Sequence, residues 1–204
     1  MNKLMSYTAA AAFACATPVT ADAALIAGEI GGTGVVYDTI LGITWLKDAN
    51  YALTNDFGIG YSAAEGLPGI ADGSYNNGNN DFPAGGMTWY TAMDWVKGMN
   101  QANFLGFDTW RLPTLTPVNG VSFEYTVSYD GTTDRGFNNL SVTNDLSHLF
   151  YVGLGNVGLC SSANPLGANP DTCIQNDPEQ WGLRNTGPFD NLVAGRFWTN
   201  VKHT

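Results

Sequence analysis

The sequence predicts an α+β domain dominated by loops. Three observations lead there. Short stretches of β-branched and aromatic residues are punctuated by glycine, two stretches carry apolar residues at helical spacing behind a capping residue, and long Asn/Gly/Asp-rich runs show no period at all.

The chain opens with a single basic residue, Lys3, before an alanine-rich apolar stretch that Pro18 breaks; Ala21-Asp22-Ala23 follows as a small-x-small site. This is the pattern of a cleavable export signal, so residues 1–23 are expected to be removed and 24–204 to form a secreted, extracellular bacterial domain. The apolar stretch is shorter than the roughly 20 residues a bilayer demands, and no later segment is apolar enough, so the chain is not expected to be transmembrane. The mature part, about 180 residues, is one domain's length and suffices for a hydrophobic core.

Val35-Val36-Tyr37-Asp38 and Ile43-Thr44-Trp45-Leu46 read as the two strands of a hairpin, with a turn from Asp38 to Gly42 between them. Residues 54–86, centred on Ser74-Tyr75-Asn76-Asn77-Gly78, read as one long surface loop. A helix follows: Thr88 is its N-cap, Trp89, Ala92, Met93, Val96 and Met99 form its apolar face, Trp95 widens that face, Gly98 weakens the last turn and Asn100 ends it. Pro113 forbids helix at Trp110-Arg111-Leu112-Pro113-Thr114 and makes Leu112 extended. Residues 121–129 alternate as a strand, and Asp130-Gly131 signals a turn. A second helix is predicted over 145–154, capped by Thr143 or Asn144, striped by Leu146, Leu149, Phe150 and Leu154, and stopped at Gly155-Asn156. Phe197-Trp198-Thr199-Asn200 reads as the start of a last strand.

The formal net charge is −10. Such a chain has no basic patch for nucleic acid, which is not expected as a partner, and is expected to be repelled by anionic membrane surfaces. After the leader, with Cys15, is gone, Cys160 and Cys173 remain, and an even pair in an exported protein reads as a disulfide. Closing the Pro/Asn/Gly-rich loop between them would contribute about 3 kcal/mol.

The residues argue against an enzyme. Nucleophilic catalysis needs a nucleophile beside a base; the histidines are His148, inside the second predicted helix, where a lone histidine is more often structural, and His203, in the terminal tail. Calcium is the cation the acidic loops would take: Asp48 and Asn50 with Asp56, Asp72 through Asp81, or Asp130 with Asp134, the last being the most compact. The alternative, which we favour, is that these residues simply make turns. Arg111 also has two readings. Its guanidinium either meets a carboxylate or sulfated sugar, or pairs with a buried acid and locks the turn before Pro113, and the structural role is preferred. Trp45, Trp89, Trp95 and Trp110 are read as core, whereas Tyr61 and Tyr75, in the long loop, are better placed to meet a ligand.

Several segments in order carry a resemblance: Val36-Tyr37-Asp38, Ile43 through Asn50, Met87-Thr88-Trp89 with Ala92 and Trp95, Trp110-Arg111-Leu112-Pro113-Thr114, and Ser147-His148-Leu149-Phe150-Tyr151. Together they resemble the Lcl C-terminal domain family, that of the C-terminal domain of a bacterial collagen-like adhesin, formerly a domain of unknown function. Residues 116–131 and the runs Trp181-Gly182-Leu183 and Asn185 through Phe189 are similar to a subgroup found in exported proteins with PEP-CTERM sorting tails. The helix followed by Arg-Leu-Pro-Thr is also similar to formylglycine-generating-enzyme-like domains, whose fold is C-type-lectin-like. The resemblance implies that fold, and it implies a secreted, non-catalytic module for adhesion or for binding extracellular polysaccharide or matrix. Family members continue beyond the Phe197–Asn200 motif, so the resemblance also implies that this domain lacks its last strands. Two alternatives are a structural matrix protein without a specific ligand and a divergent enzyme on the formylglycine-type scaffold. Ligand and oligomeric state stay open.

Overall fold

A computed structural model of the chain describes residues 25–63, 69–74, 84–158, 160, 182–195 and 197–202. The predicted leader therefore lies outside the described residues, as do Tyr75, Asp81, Cys173 and His203. The architecture is mixed α and β, with small sheets and two helical elements.

The main sheet has three antiparallel strands in the order β1 (Leu25–Ile30), β2 (Thr33–Asp38) and β3 (Ile43–Leu46). The predicted hairpin is its β2–β3 half. Its turn is built by Asp38, whose Oδ1 accepts from the backbone N–H of Ile40 and of Leu41 at 3.0 and 2.9 Å. Strand β1 is an addition to the predicted elements, because Leu25-Ile26-Ala27-Gly28 carries no clean alternation. It is joined to β2 through Gly31 and Gly32, both in the left-handed region (φ 57° and 83°), which is the backbone a tight two-residue hairpin turn requires.

Register places Trp45 opposite Val36. Val36 is fully buried and joins Leu149, Leu154 and Phe189 in the core, with Leu25, Trp45 and Leu192 packed around them. The sheet's inner face thus rests on the second helical element. That element begins as α2 (Asp145–His148), capped by Asn144 through a bond from the Ser147 N–H, and continues as a wider π turn over Leu149–Gly153. The predicted helix is therefore present over nearly its predicted length but changes its winding midway.

Helix α1 (Trp89–Gln101) starts where predicted: the Thr88 hydroxyl accepts from Thr91 N–H. Ala92, Val96 and Met99 of the predicted face are buried and Thr91 joins them, while Met93, also predicted for that face, is exposed. A second cluster forms beside α1, where Phe57 meets Trp95 edge-on at 5.5 Å and Phe104 at 4.9 Å, and Phe104 lies 5.8 Å from Trp110.

Two predicted strands need correction. Within the predicted 54–86 loop, two residue pairs, β4 (Tyr61–Ser62) and β5 (Ile70–Ala71), run parallel. Of residues 121–129, by contrast, only Val127–Ser128 (β6) enters a ladder, a short parallel pairing with Arg135–Gly136 (β7). The rest of that segment is held by side-chain caps on its backbone instead. Phe197–Asn200 makes no ladder either: Trp198 Nε1 donates to Met87 O, Thr199 O accepts from Trp89 Nε1, and Asn200 N donates to Pro113 O.

Candidate functional site

The run Trp110-Arg111-Leu112-Pro113-Thr114 belongs to no helix or strand and is held by hydrogen bonds from two distant segments. On one side, Thr114 N donates to Asp145 Oδ2 at 2.7 Å, and Asp145 N returns a bond to Thr114 O at 3.0 Å. On the other, Asn200 N donates to Pro113 O at 2.9 Å and Asn200 Oδ1 accepts from Leu115 N at 2.7 Å. Proline lacks an N–H, and here its carbonyl is the group used.

Trp110 is fixed before that by Asn100, near the end of α1. Asn100 Oδ1 accepts from Trp110 N at 2.7 Å, and its Nδ2 donates to Trp110 O at 2.9 Å. The sequence suggests Asn100 as the helix stop. Instead α1 runs one residue further, and the side chain acts as a substitute strand for Trp110.

Arg111 pairs with Asp145, Nη1 to Oδ2, at 2.7 Å. The carboxylate is 7% exposed and the arginine side chain 48%, so a buried acid holds a half-exposed guanidinium. Nη1 also donates to Thr114 Oγ1 and, at 3.2 Å, to Leu112 O. The structural reading of Arg111 is therefore what the geometry displays.

The same arginine also lines an open cleft of ≈ 280 Å³. Trp45, Phe107 and Trp110 supply aromatic surface, Thr109 a hydroxyl, and Arg111 with Asp145 the charged end. Strand β3 brings Trp45; the backbone between α1 and Pro113 brings Phe107, Thr109, Trp110 and Arg111. Sequence reasoning misses Phe107 and Thr109 and reads Trp45 and Trp110 as core only. The available signal is the Phe–Asp–Thr–Trp–Arg run, residues 107–111, in a stretch without helical or strand period.

Of the other predicted ligand residues, Tyr61 is not part of this lining. Tyr61 is 45% exposed, but its hydroxyl donates to Leu53 O at 3.0 Å and reaches Ala52 O at 3.3 Å, so it braces the turn at Tyr51–Leu53. Tyr75 lies outside the described residues.

Asp130 and Asp134 perform separate turn duties. Asp130 Oδ1 accepts from the N–H and the hydroxyl of Thr132, at 3.2 and 2.6 Å, and these bonds hold its carboxyl below the ordinary aspartate range. Asp134 accepts from Val118 N and Glu124 N, both at 2.7 Å, one on each oxygen. In the other acidic loops, Asp48 accepts from Asn50 N and Asn191 Nδ2, and Asp56 accepts from Gly58 N and Gly60 N. Among the described residues no three His, Cys, Asp or Glu side chains gather as a metal-binding group.

Cys160 is buried and its sulfur is disulfide-bonded; Cys173, the partner expected from sequence, lies outside the described residues. His148 is 2% exposed and packed beside the core. Among the described residues, no helix is long and apolar enough to cross a membrane.

Comparison of the chain with protein-family models, with curated proteins and with solved structures finds no match.

Proposed function

We propose that this chain is a secreted, non-catalytic binding module that holds an extracellular polysaccharide or matrix glycan in the cleft beside Arg111. The observation that carries this reading is the cleft itself, with aromatic surface from Trp45, Phe107 and Trp110 next to a half-exposed arginine and the Thr109 hydroxyl. Aromatic faces take the C–H side of a sugar ring, and a few placed polar groups fix its orientation. The resemblance to the Lcl C-terminal domain family, with the C-type-lectin-like fold it implies, supports the same class of function. The expected ligand-facing cation is calcium only if the acidic loops, rather than the cleft, do the binding.

A glycan-array screen of the chain from Ala24 onward, with calcium and again with EDTA, tests this reading. Thermal melts in both conditions establish that the sample is folded. Saturable binding to one sugar class is the expected result, and loss in EDTA would move the site to the acidic loops. A folded sample that binds no glycan sinks the proposal.

A second reading, a structural matrix protein, is favoured by one observation: Val121, Leu140 and Val142 are 85%, 60% and 58% exposed. Surface apolar residues of this kind mark association sites when they are contiguous. Concentration-dependent oligomers in sedimentation, without sugar affinity, would replace the first reading with this one.

A further inference from the structure

We infer that the sugar recognised in this cleft carries a carboxylate, as a uronic acid does, and that the unused edge of Arg111 is the group that reads it. The inference rests on the binding-module reading and names its ligand class.

The argument starts from which nitrogens of Arg111 are committed. Nη1 alone makes the bonds to Asp145, Thr114 and Leu112. Among the described residues, Nε and Nη2 donate to nothing, yet the side chain is 48% exposed and lines the cleft. The Nε–Nη2 edge of a guanidinium presents two parallel N–H donors, the spacing that matches the two oxygens of a carboxylate. The arginine is held beforehand by a buried acid and a threonine hydroxyl, so little side-chain freedom is left to lose on binding.

Charge narrows the class further. Arg111 is the cationic residue of the described lining, and Asp145 already offsets part of its charge. The chain as a whole carries −10. One carboxylate on the recognised ring is therefore matched, whereas every further anionic group meets a repelling surface, a cost that is greater for a densely sulfated or phosphorylated polymer than for a short oligouronate with one charge per ring. Phe107 and Trp110, packed edge to face at 6.4 Å, line the same cleft and offer aromatic surface to the apolar side of the sugar. A neutral sugar would use those faces but leave the two donors unanswered.

The test is calorimetric titration of the chain from Ala24 onward with oligomers of galacturonic, glucuronic and mannuronic acid, with the same oligomers after carboxyl reduction, and with sulfated neutral oligosaccharides of equal length. At least one oligouronate is expected to bind, and carboxyl reduction to weaken it by about tenfold or more, as for a charged hydrogen-bonded pair. Arg111→Lys keeps the charge beside Asp145 and removes the fork; it is expected to lose that preference while melting close to the parent. Thr109→Tyr places bulk in the cleft without touching the Arg111–Asp145 pair and is expected to abolish binding, which keeps the test valid if Arg111→Lys fails to fold. Equal affinity for the reduced or sulfated oligomers, or an undiminished preference in Arg111→Lys, overturns the carboxylate assignment. Binding of neutral glycans only, blocked by Thr109→Tyr, overturns it while leaving the binding module standing. No binding of any glycan by a folded sample removes both.

Discussion

The side-chain amide of Asn100 and the peptide of Trp110 form a reciprocal pair of hydrogen bonds, 2.7 and 2.9 Å long, so that a helix residue completes the backbone of the cleft wall. Both backbone groups of Trp110 are thereby satisfied without a neighbouring strand, and the indole N–H is taken by Phe104 O at 3.0 Å.

Asn100→Ala removes both bonds and leaves two partly buried backbone groups unmet. A loss of about 2–4 kcal/mol in urea unfolding is expected, from roughly 1–2 kcal/mol per orphaned group. Asn100→Asp, which keeps the acceptor for Trp110 N but turns an oxygen toward Trp110 O, is expected to fall at least as far, since it adds a repulsion to a lost bond. A mutant with unchanged stability in both cases would show that the pairing is incidental.

Asp145 is buried and serves Arg111 and Thr114 together. Asp145→Ala is expected to cost about 3 kcal/mol, because Thr114 N–H loses its acceptor and the guanidinium its buried counter-charge. Asp145→Asn keeps an oxygen for Thr114 N–H and should fall roughly half as far. Chemical denaturation of the two variants separates these expectations; equal losses would mean that the retained oxygen contributes nothing and that the charge on Asp145 carries the whole effect.

Gly98 lowers the helix propensity of the last turn of α1, and packing supplies the reason for it. A Cβ there would lie 2.8 Å from Phe57 O and 2.9 Å from Phe57 Cβ, and Phe57 itself has a left-handed φ of 47°. Gly98→Ala gains about 1 kcal/mol of helix propensity but must push that loop away. The overpacking is expected to win, with a net loss of about 1–2 kcal/mol by thermal or urea unfolding. A stabilised variant would show that the loop yields freely.

The Asp130 carboxyl is held low first by the Thr132 hydroxyl and then by the Thr132 N–H. A depressed acid stabilises the folded form when ionised, so its contribution is present above the unfolded-state pKa and disappears as pH falls through the folded value. NMR titration should place Asp130 below an unperturbed aspartate, and Thr132→Val should move it upward by removing the first of the two bonds. Asp130 is fully exposed, so the change in overall stability is expected to be small. Coincident titration in parent and variant would refute the assignment.

Elements with a local cause are legible in the residues that form them. The β2–β3 hairpin is written in a β-branched and aromatic run, an aspartate cap and a glycine, all within 35–46. The start of α1 is written in Thr88 and its spacing to the apolar residues that follow. The pairing of Arg111 with a buried acid is legible in kind, since a lone arginine before Leu-Pro demands a counter-charge, but not in identity. Asp145 lies 34 positions away, and nothing local ties the two. Residues 121–129 mislead for the converse reason: their alternation suits a strand, yet a strand needs a partner. There Glu124 N goes to the Asp134 carboxylate, and Val121 N and Ser122 N go to Asn119 Oδ1 instead.

The sequence by itself determined the mixed α and β character, the hairpin, both helix starts and the turn-forming role of most aspartates, because each depends on residues within a few positions of one another. Only the tertiary structure decided that Trp45 and Trp110 line one cleft, that Asn100 clamps rather than caps, and that Arg111 commits its Nη1 to Asp145, Thr114 and Leu112. Those facts depend on which distant segments lie side by side, and that is set by the packing of the β-sheet on the second helical element, a sum over many weak contacts that no short motif encodes.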